Sequence, residues 1–182
     1  MKIFLSLILV CLLAVSIDAQ SRSNAEIEQQ LKASGASASV YFDANSKVTT
    51  LKGVAENFSD ADTKRAGVRA MNFAIGALYA GDRIDRPIDP LMLSFWIMSG
   101  GKPRFGEDQT LIAVNGPERL DLGSGRYTAR RDGMEYLNFN LTRDQVSQLA
   151  NSSTWLIGGK QFTPTQAQKR LLQYILVATE TN

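Results

Sequence analysis

Residues 126–141 read RYTARRDGMEYLNFNL, and this stretch decides the fold class. Its two arms flank Asp132-Gly133, a dipeptide that readily takes the positive φ angles of a two-residue type I′ turn. Along the second arm, apolar and polar residues alternate with the period of a strand. The apolar positions are Leu137, Phe139 and Leu141. The sequence predicts a β-hairpin with one buried face, and we expect Glu135, on that face but near the turn, to reach solvent.

Two helices and a short hairpin are predicted downstream of this arm. Thr142 can cap a helix whose third residue, Gln145, reaches back to it. The pair Gly158-Gly159 separates two short strands, STWLI and KQF, and predicts a tight turn. Thr163 is predicted to cap a second helix, with Pro164 at its first position, where proline is favoured. This amphipathic helix should run to about residue 178.

Further strands are predicted upstream. Residues 91–99, LMLSFWIMS, are apolar on both faces apart from Ser94, which is typical of a central strand packed on both sides. Asn115-Gly116 predicts another hairpin, whose returning strand should begin beyond Pro117 because proline cannot donate to a ladder. Residues 64–80 alternate with a period of two, and glycines would weaken a helix there, so we favour one long strand over a helix.

The first residues resemble a secretory signal peptide. Lys2 precedes an apolar run over residues 3–15, which is shorter than the roughly 20 residues that a membrane anchor needs. Cleavage after Ser16 or after Ala19 is compatible with the sequence, and a retained membrane helix is the alternative. We therefore expect an exported protein, periplasmic or extracellular, without a membrane span after cleavage: a signal peptide at 1–19, a flexible leader at 20–39 and a single β-sandwich domain at 40–182.

The composition excludes several kinds of chemistry. The chain has no histidine, and its one cysteine, Cys11, lies in the apolar run that a signal peptidase would remove. Ser-His and Cys-His catalysis and thiolate metal sites are thereby excluded from the mature domain. We predict no cofactor and no metal. Twenty basic against 18 acidic residues give a net charge of +2. The positive potential of such a chain is too weak to suggest nucleic acid as a partner.

Carboxylates supply one candidate site. Asp82, Asp85 and Asp89 lie in the stretch GDRIDRPIDP and could perform general acid and base catalysis on a glycoside, or coordinate calcium. The alternative is that alternating Asp and Arg residues form local ion pairs and cap turns, which we favour.

Basic residues in predicted loops and hairpin arms supply a second candidate site. These are Lys102, Arg104, Arg126, Arg130 and Arg131. Together with Tyr127 and Tyr136 they could bind an anionic polymer such as a cell-envelope polysaccharide. The alternative is a solvated edge whose charges discourage strand pairing. Both tryptophans, Trp96 and Trp155, lie in apolar runs, and we expect them in the core.

The order of motifs over residues 47–176 resembles a group of small exported bacterial domains of uncharacterised function. The motifs are the KVTT strand, the strand ending at YAGDRI, the hairpin leading to MEYLNFNLTRDQVSQLA and the WLIGGKQFTPTQAQ tail. The resemblance implies an antiparallel β-sandwich with a helix packed on one edge or end, and carries over no functional residues.

We therefore expect a mainly β fold: an antiparallel β-sandwich with one short helix and a C-terminal helix packed on it. The leading functional hypothesis is a non-enzymatic exported domain that binds a partner protein or an envelope component such as an anionic glycan. Two alternatives stay open, a carboxylate-based hydrolase of envelope glycan and an accessory subunit that pairs through a strand edge.

Overall fold

The structure, a computed structural model, describes residues 22–180, so the predicted signal peptide and its cleavage site lie outside the described residues. The strands are β1 (Arg22–Ser23), β2 (Ser37–Asp43), β3 (Val48–Val54), β4 (Ala70–Ala80), β5 (Arg83–Ile84), β6 (Leu91–Met98), β7 (Thr110–Asn115), β8 (Glu118–Ser124), β9 (Arg126–Ala129), β10 (Met134–Leu141), β11 (Thr154–Ile157) and β12 (Lys160–Phe162). The helices within this range are α1 (Asn24–Lys32), α2 (Asp60–Ala66), α3 (Arg143–Asn151) and α4 (Gln166–Ala178). None of them is long and apolar enough to cross a membrane.

The strands form two main antiparallel sheets. The large sheet has six strands in the order β2-β3-β4-β6-β10-β9, and the small sheet has four in the order β12-β11-β7-β8. The short strands β1 and β5 form a separate antiparallel pair. The predicted fold class, an antiparallel β-sandwich with helices, is confirmed.

Aromatic side chains from both sheets meet in the core. The Trp155 ring centroid on β11 lies 5.4 Å from that of Phe73 on β4 and 6.4 Å from that of Phe95 on β6. Phe58, from the segment between β3 and α2, stands edge-on to Trp155 with the ring centroids 5.7 Å apart. All four side chains are buried. The expected core position of Trp155 is confirmed, and this cluster joins the two sheets.

Helices cover the rest of the inner face of the large sheet. α4 lies against β3 so closely that a Cβ added to Gly53 would be 2.6 Å from Leu171 Cδ1, and only glycine fits there without displacing the leucine. α3 packs in turn against α4. The C-terminal helix therefore completes a core that the small sheet covers only in part.

Most of the predicted turns and caps are confirmed. Thr142 and Gln145 form the capping box of α3, β8 begins directly after Pro117, and Gly158 and Gly159 have φ angles of 54° and 69°.

Two local details were wrong. α4 is capped by Thr165, which forms a capping box with Gln168, and the predicted cap Thr163 lies before it. Between β9 and β10, Arg130 N–H donates to Met134 O at 2.7 Å, so the loop consists of residues 131–133 with Gly133 at φ 81°. This hairpin loop is one residue longer than the predicted two-residue turn: Gly133 N–H donates to Arg130 O at 3.2 Å and closes a turn that starts at Arg130.

The prediction of one long strand over residues 64–80 was correct only from Ala70. Residues 64–66 belong to α2, whose N-cap is Ser59 and whose C-cap is Gly67 in the left-handed conformation, φ 75°. The buried Asp62 carboxylate accepts a hydrogen bond from Thr163 N at 3.0 Å. This contact joins two residues that are 101 positions apart, so no local sequence pattern could reveal it. It stabilises the helix.

The prediction of a flexible leader over residues 20–39 was wrong for the part the structure describes. Ser23 and Glu26 form a capping box that starts α1, and Ile27 and Leu31 are fully buried. The helix contacts β2 and α4. Two apolar residues four apart are enough to fix a short helix when a partner surface covers both.

Truncating the buried face of α1 tests this correction. We expect Ile27→Ala and Leu31→Ala each to lower the free energy of unfolding by about 2–5 kcal/mol, because each leaves a cavity in the core. Gln29→Ala, at an exposed position of the same helix, should change it by less than about 0.5 kcal/mol. Urea denaturation of the three variants would contradict a docked helix if all three matched the parent chain.

Candidate functional site

Glu135 is buried, with 1% of its surface exposed, contrary to the expectation that it would reach solvent. Its carboxylate accepts hydrogen bonds from Arg104 N at 2.9 Å and Phe105 N at 3.0 Å, both in the loop between β6 and β7. The Tyr127 hydroxyl of β9 donates a third at 2.8 Å. Hydrogen bonds to a charged acceptor are the stronger kind, and together these three satisfy a carboxylate that has lost water.

Further contacts fix the loop of residues 99–109 beside the Glu135 carboxylate. Ser99 N and Oγ donate to Gly133 O in the β9–β10 turn, at 3.0 and 2.9 Å. Phe105 is buried and lies 6.5 Å from Phe162 between ring centroids. The loop and the β9–β10 turn are therefore one structural unit at one end of the sandwich.

Four basic side chains project from this unit, and we call this group of side chains the basic end. Its members are Lys102, Arg104, Arg130 and Arg131, all of them exposed. Arg130 forms an ion pair with Asp132, N to O 3.1 Å, whereas the other three side chains have no carboxylate within 4.0 Å among residues 22–180. The structure thus brings together four of the six residues proposed from the sequence.

Two more cations adjoin the basic end. Arg69 packs on Gly100, where an added Cβ would lie 2.3 Å from Arg69 Nε. Lys160 stands over the Phe105 ring, 5.6 Å from its centroid. Lys160 and Arg104, with Glu107, line a cavity of about 400 Å³. Neither residue was predicted from the sequence, because each reaches the loop from a part of the chain distant in sequence.

Arg126 and Tyr127 are not placed with the others. Arg126 is opposite Asn138 in the β9–β10 ladder and faces the outer side of the large sheet. Tyr127 is opposite Leu137 and faces inward, with its hydroxyl on Glu135. Burial, and then the hydrogen bond to Glu135 and its charge, raise the pKa of Tyr127 to about 12. The tyrosine thus supports the basic end from beneath.

The acidic candidates lie at the opposite end of strands β4 and β6 from the basic end. Asp85 and Asp89 line a cavity of about 570 Å³ together with Arg83 and Arg86. They and Asp82 are exposed, whereas the general acid of a glycosidase is usually desolvated. The described residues contain no group of three or more potential metal ligands, so the calcium alternative finds no cluster there.

The outer side of the large sheet carries a feature that the sequence analysis missed. β6 buries one face only, and its other face presents Met92, Ser94, Trp96 and Met98 toward solvent. Ser94 in the middle of the run was the available signal for a solvated face. The expectation that Trp96 belongs to the core was wrong, since none of the elements between residues 22 and 180 forms a second layer on this side.

No protein-family model, curated protein or solved structure matches this chain. The resemblance to exported bacterial domains therefore stays a prediction, and the candidate surfaces have to be interpreted from their own residues.

The contact between Tyr127 and Glu135 can be tested by titration. The phenolate absorbance of the folded protein should include a tyrosine with a pKa of about 12. Glu135→Gln should move this pKa down toward the ordinary value of about 10, because the neighbouring charge is removed while burial remains. Tyr127→Phe identifies the group, which matters because burial also raises the pKa of Tyr79. An unchanged titration in Glu135→Gln would contradict the contact.

The same titration affects stability at high pH. Tyr127 has a higher pKa folded than unfolded, so between about pH 10 and the folded value of about 12 the folded state keeps a proton that the unfolded state has lost. The free energy of unfolding should therefore fall as pH rises through this window, and fall less steeply in Tyr127→Phe.

Proposed function

We propose that the protein is an exported, non-enzymatic domain that binds an anionic glycan of the cell envelope through the basic end. The observation that carries the proposal is the group of exposed cations on the loop of residues 99–109 and the β9–β10 turn. Most of them have no acidic partner in the described part of the chain. A surface that presents several unpaired cations on backbone held in place is suited to a ligand with repeated negative charges.

The buried carboxylate of Glu135 supports this function indirectly. It orients the backbone of Arg104 and Phe105, so the loop does not have to be ordered when a ligand arrives. Binding then costs less conformational entropy than it would for a flexible basic loop. The cavity beside Arg104 and Lys160 gives one charged group of a ligand a recess between two cations.

Catalysis is the less supported function. Without histidine, and with Cys11 in the predicted signal peptide, the candidate nucleophiles and bases are carboxylates, hydroxyls and lysines. The carboxylates considered from the sequence, Asp82, Asp85 and Asp89, are exposed and have arginines between them in the chain. Local ion pairing and turn formation account for such residues.

Removing three cations of the basic end tests the proposal. We expect Lys102→Ala/Arg130→Ala/Arg131→Ala to weaken binding of polygalacturonate, a carboxylated polysaccharide, roughly 10- to 100-fold, since each exposed pair contributes about 0.5–1 kcal/mol. Affinity in the parent chain should fall with added salt, and methyl-esterified polygalacturonate should not bind.

A matched control carries the same change in charge elsewhere. Arg86→Ala/Arg119→Ala/Arg170→Ala removes three exposed cations from other parts of the surface and should leave the affinity unchanged. Equal weakening by both triple variants would mean that net charge attracts the polymer and that the basic end is no site.

A further inference from the structure

The outer side of the large sheet, which we call the open face, collects most of the exposed large apolar side chains. It includes Tyr41, Leu78, Met92 and Met98. Each of these residues has 40–66% of its surface exposed. Of the other exposed large apolar residues in the described range, Leu120 and Val177 lie elsewhere. A concentration of this kind on one face marks a binding surface more often than chance exposure does.

Trp96 is held in a fixed orientation at the middle of the open face. Its Nε1–H donates to Ser94 Oγ at 3.1 Å, and Ser94 Oγ donates to Asn138 Oδ1 at 2.6 Å. Lys52 Nζ lies 4.1 Å from the centroid of the indole. An aromatic ring pinned at its edge by a hydrogen-bond chain loses little freedom when a ligand packs on it.

A small cavity of about 100 Å³ adjoins the indole. It is lined by Asn57, Asn72, Trp96, Met98 and Met134, among others. Asn72 Oδ1 is buried and accepts no hydrogen bond from any described residue. An unsatisfied buried acceptor is unusual and unfavourable, and here it adjoins a space flanked by flexible methionines that can move aside.

The occupant of such a place needs two chemical properties. It must present an apolar surface to an indole, and it must carry a small donor group for Asn72 Oδ1. A pyranose sugar has both, since its ring C–H groups form an apolar face and its exocyclic hydroxymethyl or acetamido group bears an O–H or N–H. A whole ring is too large for the cavity, whereas an exocyclic group is of suitable size.

A second copy of the chain fits the open face less well. In a two-fold interface the face would meet itself. Among its strand positions are the cations Lys52 and Arg126, whereas the acidic residue Asp43 lies at its edge. Cations would be brought toward cations without matching carboxylates at the centre.

We propose that the open face is a saccharide-binding site, in which a pyranose ring packs on Trp96 and its exocyclic group enters the cavity to donate a hydrogen bond to Asn72 Oδ1. Lys52 and Trp96 are both half-buried, and the flexible lysine side chain can move its ammonium off the indole when the sugar ring packs there. This site lies on a different surface from the basic end and does not depend on ligand charge.

Calorimetric titration with short oligomers of N-acetylglucosamine and of glucose tests the site. We expect saturable binding of at least one of them by the parent chain, loss of binding in Trp96→Ala and retention within a few-fold in Trp96→Phe. Asn72→Ala should weaken binding about tenfold by removing the acceptor. Leu120→Ala, an exposed leucine outside the open face, is the matched control and should bind as the parent does.

Other outcomes separate this proposal from its alternatives. Lys102→Ala/Arg130→Ala/Arg131→Ala should bind these neutral oligomers normally, so failure of the basic end and failure of the open face are distinguishable. The proposal is overturned if neither oligomer binds, or if binding survives Trp96→Ala. It is also overturned if sedimentation shows a dimer that Trp96→Ala converts to a monomer, because a second copy would then cover the face.

Discussion

The buried carboxylate of Glu135 is the contact on which the candidate binding surface depends. It lies on β10 yet bonds to backbone N–H groups of Arg104 and Phe105 and to the hydroxyl of Tyr127, so one side chain joins a central strand, an edge strand and a long loop. A buried charge with fewer donors would be unfavourable, and donors without the carboxylate would be buried unsatisfied. Each part therefore requires the others, and the loop adopts one conformation.

The arrangement also explains how a β-sandwich can present two unlike surfaces. β6 and β10 bury alternate residues between the sheets, in the cluster around Phe95, and expose the intervening ones on the open face. At one end of the same strands, the loop that follows β6 and the turn that precedes β10 carry the basic end. The core thus supplies rigidity to both surfaces, and Phe105 anchors the loop of residues 99–109 in it.

Local patterns in the sequence were sufficient for the fold class. Alternation in residues 134–141, the capping box at Thr142 and the glycine pair before Lys160 depend on neighbours within a few residues, and the structure has all three. Partners distant in the chain decided the cases that failed. α1 is fixed by β2 and α4, and Glu135 is buried because donors some 30 residues earlier in the chain reach it. Trp96 looked like a core residue because alternation cannot tell whether a second layer covers a face.

The candidate site, like the fold, was predictable where it depends on local sequence patterns. Lys102, Arg104, Arg130 and Arg131 stand near loops and turns that the sequence marks, so their grouping at one end follows once the hairpin is placed. Tyr127 was assigned to the same surface as Arg126, although adjacent residues of a strand face opposite sides. Arg69 and Lys160 reach the basic end only through tertiary contacts.

Amide hydrogen exchange at Arg104 and Phe105 measures whether Glu135 holds the loop in one conformation. Both amides donate to Glu135 although they belong to a loop outside either sheet ladder. We predict that they exchange slowly in the parent chain and become fast in Glu135→Ala, while the amides of β4 and β6 keep their protection. Fast exchange at both positions in the parent chain would contradict it, because the loop would then be mobile and the basic end would have no fixed geometry.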